Sequence, residues 1–175
     1  SLHKYNASSY YEIDASFGTL EDFDKLILKA HALGIKVILD LAINHSSKNA
    51  SYFQKAVEAH KKKINFSSLN DEEKKYQDFY VFYDTEDQAK QSRKTYYKVP
   101  NCNFYYEANF DSDMPEFNFD NENVWQEFDN IMTFWQQKGV DGFRLDAVKY
   151  YYLNETNKNV TALSRIKQIA LRYSW

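Results

Sequence analysis

The run Gly142-Phe143-Arg144-Leu145-Asp146-Ala147-Val148-Lys149-Tyr150 decides how the rest of the chain is read. In a strand, side chains alternate between faces, so Gly142, Arg144 and Asp146 share one side and Phe143, Leu145 and Ala147 the other. One face is apolar, and the other holds an arginine and an aspartate two residues apart. A second run, Ile35 to Ile43, has the same character, with Val37, Leu39 and Leu41 on one face and Asp40 and Asn44 on the opposite one. Two such strands side by side predict a polar site on a buried sheet.

Each run follows a helical pattern that ends in glycine. Thr19 has the position of an N-cap with Asp22 completing a capping box, and Leu20, Phe23, Ile27 and Ala30 follow at helical spacing up to Gly34. Asn121 or Asn123 caps a second helix, whose Val124, Phe128, Ile131 and Trp135 form one stripe before Gly139. After an Asn-rich loop, Leu163, Ile166, Ala170 and Tyr173 mark a third helix over residues 160–173. The nearly continuous apolar runs imply strands covered on both faces, and the order of elements implies an α/β fold with a parallel sheet.

From Ser46 to about Phe119 that alternation stops. Ser51 to Lys63 reads as a short helix with Phe53, Ala56, Val57 and His60 on one side and lysines in its last turn. Tyr80 to Tyr83 and Thr95 to Val99 read as short strands, and the remainder is irregular. So long an excursion is expected to be an inserted subdomain. The expected division is residues 1–47 and 120–175 for the α/β part and 48–119 for the insertion.

Composition narrows the partners. The formal net charge is −3 with 27% charged residues of interspersed sign, so nucleic acids and anionic membranes are not the expected ligands. A single cysteine, Cys102, excludes an intrachain disulfide framework and a cysteine-rich metal site. No apolar run approaches the roughly 18 residues of a membrane span. The first four residues do not begin a signal peptide, and both ends read as cuts in a longer chain; an extracellular setting is favoured over a cytoplasmic one. The 15 Tyr, 13 Phe and 3 Trp suit a sugar-stacking site and an aromatic-rich core equally. Asn-x-Ser/Thr triplets at Asn6, Asn44, Asn49, Asn65, Asn154 and Asn159 carry little weight in so Asn-rich a chain.

Functional side chains of parallel α/β sheets gather at the C-terminal ends of the strands. Asp40, Asn44 and His45 occupy that end of the first run, and Arg144, Asp146, Lys149 and Tyr150 that of the second. A carboxylate on a buried strand needs a partner, and Arg144 supplies one. That pairing suits Asp146 to nucleophilic attack rather than proton donation, with Asp40 able to hold the guanidinium from its other side. On pattern alone, an ion pair that merely fixes strand register is an equal reading. His45 alone reads as a hydrogen-bonded loop histidine.

Asp40-Leu41-Ala42-Ile43-Asn44-His45 resembles the Asp-x-x-x-Asn-His motif of the α-amylase family, glycoside hydrolase family 13, and the run from Gly142 to Tyr150 resembles its second conserved region. Met114-Pro115-Glu116-Phe117-Asn118 is similar to the Met-Pro-Asp-Leu-Asn segment near the end of the family's domain B, and His3-Lys4-Tyr5-Asn6 to its loop after the second barrel strand. The resemblance implies a fragment of a (β/α)8 TIM barrel, from its second helix through its fourth, with domain B inserted after the third strand. It implies a retaining α-glycosidase acting on α-glucans such as starch and malto-oligosaccharides. Asp146 is then the nucleophile, Arg144 its positioning partner and Asp40 the support of Arg144. Tyr5 and His45 contact the sugar on the non-reducing side, and Lys149 the sugar on the leaving-group side. Asn44 matches a structural calcium ligand, which the carbonyl of Tyr150 could join, and no organic cofactor is implied.

Four residues depart from the family pattern. Asn6 stands where many relatives have aspartate, Glu116 replaces the usual aspartate, Asn118 replaces a calcium-binding aspartate of some amylases, and Tyr150 replaces a histidine. The family's acid/base glutamate, on the fifth strand, falls outside these residues. The segment alone is therefore expected to be inactive. A transglycosylase or isomerase of the same family, and a non-catalytic amylase-like interaction protein, are the alternative readings.

Overall fold

The computed structural model describes residues 4–172; His3 of the opening motif and Tyr173 of the last helical pattern lie outside the described residues. In chain order the elements are α1 (Leu20–Ala32), β1 (Ile38–Leu41), α2 (Ser51–Ile64), α3 (Asp71–Tyr76), β2 (Phe82–Tyr83), α4 (Glu86–Ser92), β3 (Tyr96–Lys98), β4 (Tyr105–Glu107), α5 (Glu122–Gln137), β5 (Gly142–Leu145), a 3-10 turn (Val148–Tyr150) and α6 (Thr156–Leu171). They fall into two compact units: a sheet unit, Ser9–Leu41 with Gln126–Trp175, and an insert unit, Ser1–Ser8 with Ala42–Trp125. The cuts lie at 8/9, 41/42 and 125/126, where the sequence suggests only 47/48 and 119/120.

In the sheet unit β1 and β5 pair in parallel, Asp40 opposite Arg144. Both expected strands are shorter than their apolar runs, four residues each. They are also not covered on both faces: Ile38 is 63% exposed. Among the described residues β1 has β5 as its sheet neighbour, so its other edge and much of its surface meet solvent. Asp146 follows the end of β5, and Ala147 takes a left-handed conformation, φ 52°, that turns the chain into the 3-10 helix holding Lys149 and Tyr150.

The helices start and stop where their caps dictate. Thr19 accepts from the Asp22 amide while the Asp22 carboxylate accepts from the Thr19 amide, closing the capping box of α1, and Gly34 follows its end at φ 72°. Asn121 caps α5 by accepting from the Asn123 amide at 2.8 Å. Gly139 is required twice over, because its φ is 91° and an added Cβ would lie 2.7 Å from Ile27 Cγ2. Phe23 packs edge-on against Trp135 at 5.2 Å, and the Trp135 indole N–H donates to the Tyr10 carbonyl at 2.8 Å. On α6 the buried residues are Asn159, Ala162, Ile166 and Ile169. The helix starts four residues earlier than expected, and its buried face is rotated from the Leu163/Ala170 stripe.

In the insert unit β2, β4 and β3 make a small antiparallel sheet, β4 central. Phe53 and His60 of α2 pack on it, His60 between the rings of Phe82 (4.6 Å) and Phe104 (4.7 Å) with Nε2 2.8 Å from Asp84 Oδ1. Tyr52 and Ala59 join the buried face of α2, and Val57 is half-buried. Aromatic rings fill much of this core, including Phe53, Phe79, Tyr80, Phe104 and Phe117. That accounts for much of the aromatic excess without any ligand.

Asp141, the residue before β5, ties the two strands at their entry. Its amide donates to the Val37 carbonyl, and its carboxylate accepts from the Val37 amide at 2.8 Å and lies 2.9 Å from His31 Nε2 and 3.0 Å from Lys36 Nζ. The Val37 amide first, then His31 and Lys36, hold this carboxyl well below the usual carboxylate range. Its folded pKa is depressed, so its contribution is complete above about pH 4 and is lost as the pH falls below that. Asp141→Asn is expected to destabilise the protein by about 1–2 kcal/mol at neutral pH. In urea titrations the gap between variant and parent should close on acidification; a gap that stays constant down to pH 3 would contradict this account.

Candidate functional site

In the sheet unit, the in-register pairing of β1 and β5 sets Asp40 beside Arg144. The guanidinium donates from Nη1 to Asp40 Oδ2 and from Nη2 to Asp146 Oδ1, the latter at 3.3 Å. One arginine thus bridges a carboxylate on the neighbouring strand and one at its own strand's end. The setting is open: side-chain exposure is 57% for Arg144, 41% for Asp40 and 33% for Asp146. The pair expected on a buried sheet is therefore solvent-accessible in this chain, because the strands that hold it are not covered on both faces.

Beyond Asp146, Lys149 is exposed and rests its Nζ 5.1 Å from the centre of the Tyr150 ring. Tyr151, which the sequence reading passed over, is buried, and burial first and the charge of Asp146 second raise its phenol above the ordinary range. Strand alternation could not find it, since the alternation ends at Leu145 and the 3-10 turn resets which side chains point inward. No turn-forming residue among residues 147–151 signals it, because the turn rests on the left-handed Ala147.

In the insert unit, the segment after β1 pairs with the Met114–Asn118 segment. Phe117 N–H donates to the Asn44 carbonyl at 3.1 Å and Ser46 N–H to the Pro115 carbonyl at 3.2 Å. His45 is buried, its Nε2 2.9 Å from the Tyr5 carbonyl and its ring 5.3 Å from that of Phe110. With Nε2–H donating to that carbonyl, Nδ1 is the acceptor facing the Asn44 amide nitrogen at 3.5 Å. Tyr5 and Phe110 flank this histidine and are partly exposed.

Asn44 is fully buried, and its amide donates to Glu116 Oε2. Glu116 also accepts from the Asn109 amide at 3.1 Å. Burial, aided by the neighbouring charge of Glu107, pushes its carboxyl up to about 8 despite the bonds from Asn109 and Asn44. Asn44 Oδ1 is buried without a hydrogen-bond partner among the described residues. It is one oxygen, whereas calcium takes six to eight. The adjacent carboxylate is already bonded to the Asn44 amide, and among the described residues no group of three or more His, Cys, Asp or Glu could hold a metal ion. These residues do not fit a calcium cage. Burial of Asn44 and Asn159 also removes both as glycosylation acceptors.

Residues 1–169 match the family model described as alpha amylase, catalytic domain. Alpha-amylase 3 of Dictyoglomus thermophilum is 42% identical over 160 residues, covering 91% of this chain and 29% of that protein. Maltase A2 of Drosophila melanogaster is 36% identical over 165 residues, covering 85% of this chain and 26% of that one. The solved structure of Eubacterium rectale Amy13B superposes with a TM-score of 0.84 at 36% identity, over 97% of this chain and 31% of that one. The chain thus spans less than a third of the length of these relatives.

The two carboxylate settings differ in what they contribute to stability. An exposed ion pair contributes about 0–1 kcal/mol, so Arg144→Gln should shift the unfolding free energy by no more than that. Asn44→Ala leaves a buried carboxyl without its amide partner and should cost about 1–3 kcal/mol. Urea unfolding of both variants checks this, and a larger loss for Arg144→Gln than for Asn44→Ala would reverse the assignment.

Proposed function

Because the chain belongs to the alpha-amylase family of glycoside hydrolases, we propose that it is part of a retaining α-glycosidase acting on α-glucans such as starch and malto-oligosaccharides, with Asp146 as its nucleophile. The observation that supports this most directly is the Asp40–Arg144–Asp146 line on two adjacent parallel strands. In this reading β1 and β5 are the third and fourth strands of a (β/α)8 barrel, and most of the residues between them form domain B. The exposed apolar edge of β1 at Ile38 suits a strand whose other neighbours come from further polypeptide.

An oxygen of the Asp146 carboxylate attacks the anomeric carbon, the glycosidic C–O bond breaks, and the leaving oxygen takes a proton from a second carboxyl group. Water then attacks the same carbon from the opposite face, returns a proton to that second group and frees Asp146. Such a pair lies about 5–5.5 Å apart in retaining enzymes, and the second member is assigned to polypeptide beyond these residues. Arg144 orients the attacking carboxylate and offsets its charge, and Asp40 keeps the guanidinium from turning away. Tyr5, partly exposed, takes a sugar-contacting role; His45, expected to share it, is buried with Nε2 on the Tyr5 carbonyl and instead holds the Tyr5 backbone. Lys149, released from the Tyr150 ring, meets the leaving-group sugar.

Asp146→Asn in the full-length polypeptide is expected to lower kcat on maltotriose by roughly 10³-fold or more. A slow fluorinated glycosyl donor should add one sugar mass to the peptide containing Asp146. Retention of activity within a few-fold of the parent would sink the nucleophile assignment. Longer or rearranged sugars in the product mixture would make the enzyme a transglycosylase or isomerase instead, and absence of any turnover by the full-length polypeptide would favour an interaction protein. Residues 1–175 expressed alone should show no hydrolysis.

A further inference from the structure

Asn159 sits in the first turns of α6, is nine-tenths buried, and has its amide fully engaged. Its Oδ1 accepts from the Tyr152 amide at 2.9 Å, and its Nδ2 donates to the Tyr152 carbonyl at 2.9 Å and to the Lys149 carbonyl at 3.2 Å. A single side chain therefore meets the backbone of the turn at both Lys149 and Tyr152. The same turn begins at Asp146, passes through the left-handed Ala147, and closes with Tyr150 N–H donating to the Ala147 carbonyl at 2.9 Å. It is thus tied at its start by Arg144 to Asp146 and at its end by Asn159.

Two side chains of that turn matter, Tyr151 beside Asp146 and the exposed Lys149. The Tyr151 phenol is near enough for the Asp146 charge to act on it, and Lys149 leaves the turn toward solvent. A left-handed alanine is a strained conformation that persists only where its surroundings over-determine it. The three bonds of Asn159 supply that constraint from outside the turn.

We propose that Asn159 is a positioning residue: it fixes the Lys149–Tyr152 backbone so that Lys149 stands where it engages a sugar on the leaving-group side of the bond cleaved at Asp146. The proposal rests on the function assigned above. It accounts for a buried asparagine in the first turns of a helix whose amide is spent on another segment's backbone rather than on the helix itself. Aspartate there would keep the bond from Tyr152 N–H but set a carboxylate against two carbonyls.

The test uses the full-length enzyme with two substrates, maltotriose and p-nitrophenyl α-glucoside, the second of which has no leaving-group sugar. Asn159→Ala is expected to reduce kcat/KM on maltotriose about tenfold, mainly through KM, and to leave the aryl glucoside within about twofold. Introduced into Lys149→Ala, the same substitution should add little further loss. Equal losses on both substrates, or additive losses in the double variant, would show a merely structural role and overturn the proposal. If Asn159→Ala does not accumulate as folded protein, Asn159→Asp takes its place: it removes the two bonds to the Lys149 and Tyr152 carbonyls, so a loss in kcat/KM confined to maltotriose is expected, and equal losses on both substrates or no loss on either count against the proposal. Asp146→Asn run in parallel separates the two readings: if it stays active, the assigned function fails, and if it is inactive while Asn159 variants behave as the parent, only the positioning role fails.

Discussion

Parallel pairing of β1 with β5 is the constraint on which the rest of the chain depends. It brings Asp40 beside Arg144, 104 residues later in sequence, and a parallel pair cannot be joined by a tight turn. Loop-closure entropy rises only slowly with length, so the connection can hold a complete second unit with its own antiparallel sheet and aromatic core. What the pairing demands is register. Side chains set it at both ends: the Asp141 carboxylate takes the Val37 amide where the strands begin, and Arg144 donates to Asp40 where they finish. A slip of one residue would carry Arg144 to the opposite face and dissolve the bridge.

The parts of this fold governed by local rules were legible in the sequence. The Thr19 capping box, the glycines after α1 and α5, and the Val124-Phe128-Ile131-Trp135 stripe follow from backbone chemistry and helical period, and the structure has all of them. The parts governed by tertiary context were not. Helices α3 and α4, six and seven residues long, lack a stripe long enough to detect, although each has a capping box at Asn70 or Thr85 that could have announced it. Strand β4, Tyr105–Glu107, is short and central, held by neighbours on both sides rather than by its own alternation. The apolar runs at Ile35 and Gly142 promised covered strands, yet cover depends on what packs against them, which periodicity cannot report.

The site shows the same division. That Arg144 and Asp146 share a face, with Asp40 across from them, follows from a period of two and a parallel neighbour. That Tyr151 is buried near Asp146, and that Asn159 reaches back to the turn, follows from one left-handed residue, Ala147, which no pattern of apolar positions encodes. Alanine tolerates that conformation less well than glycine but better than any branched residue. The turn is therefore held in place from outside, by hydrogen bonds arriving from α6, rather than by its own preference.

The carboxylates of the two units answer to opposite physics. Glu116 is enclosed, bonded to Asn44 and Asn109, and raised toward neutrality by its enclosure; it fastens the segment after β1 to the segment before α5. Asp40 and Asp146 face water and share one guanidinium, an arrangement that adds little to stability at high dielectric. On the proposed function, the same guanidinium would acquire weight as a sugar displaced that water, because the attraction between unit charges rises several-fold as the local dielectric falls. On that function, an ion pair nearly neutral for folding and strong only in a filled site would stabilise charge at the moment of reaction, where the proposed nucleophile needs it.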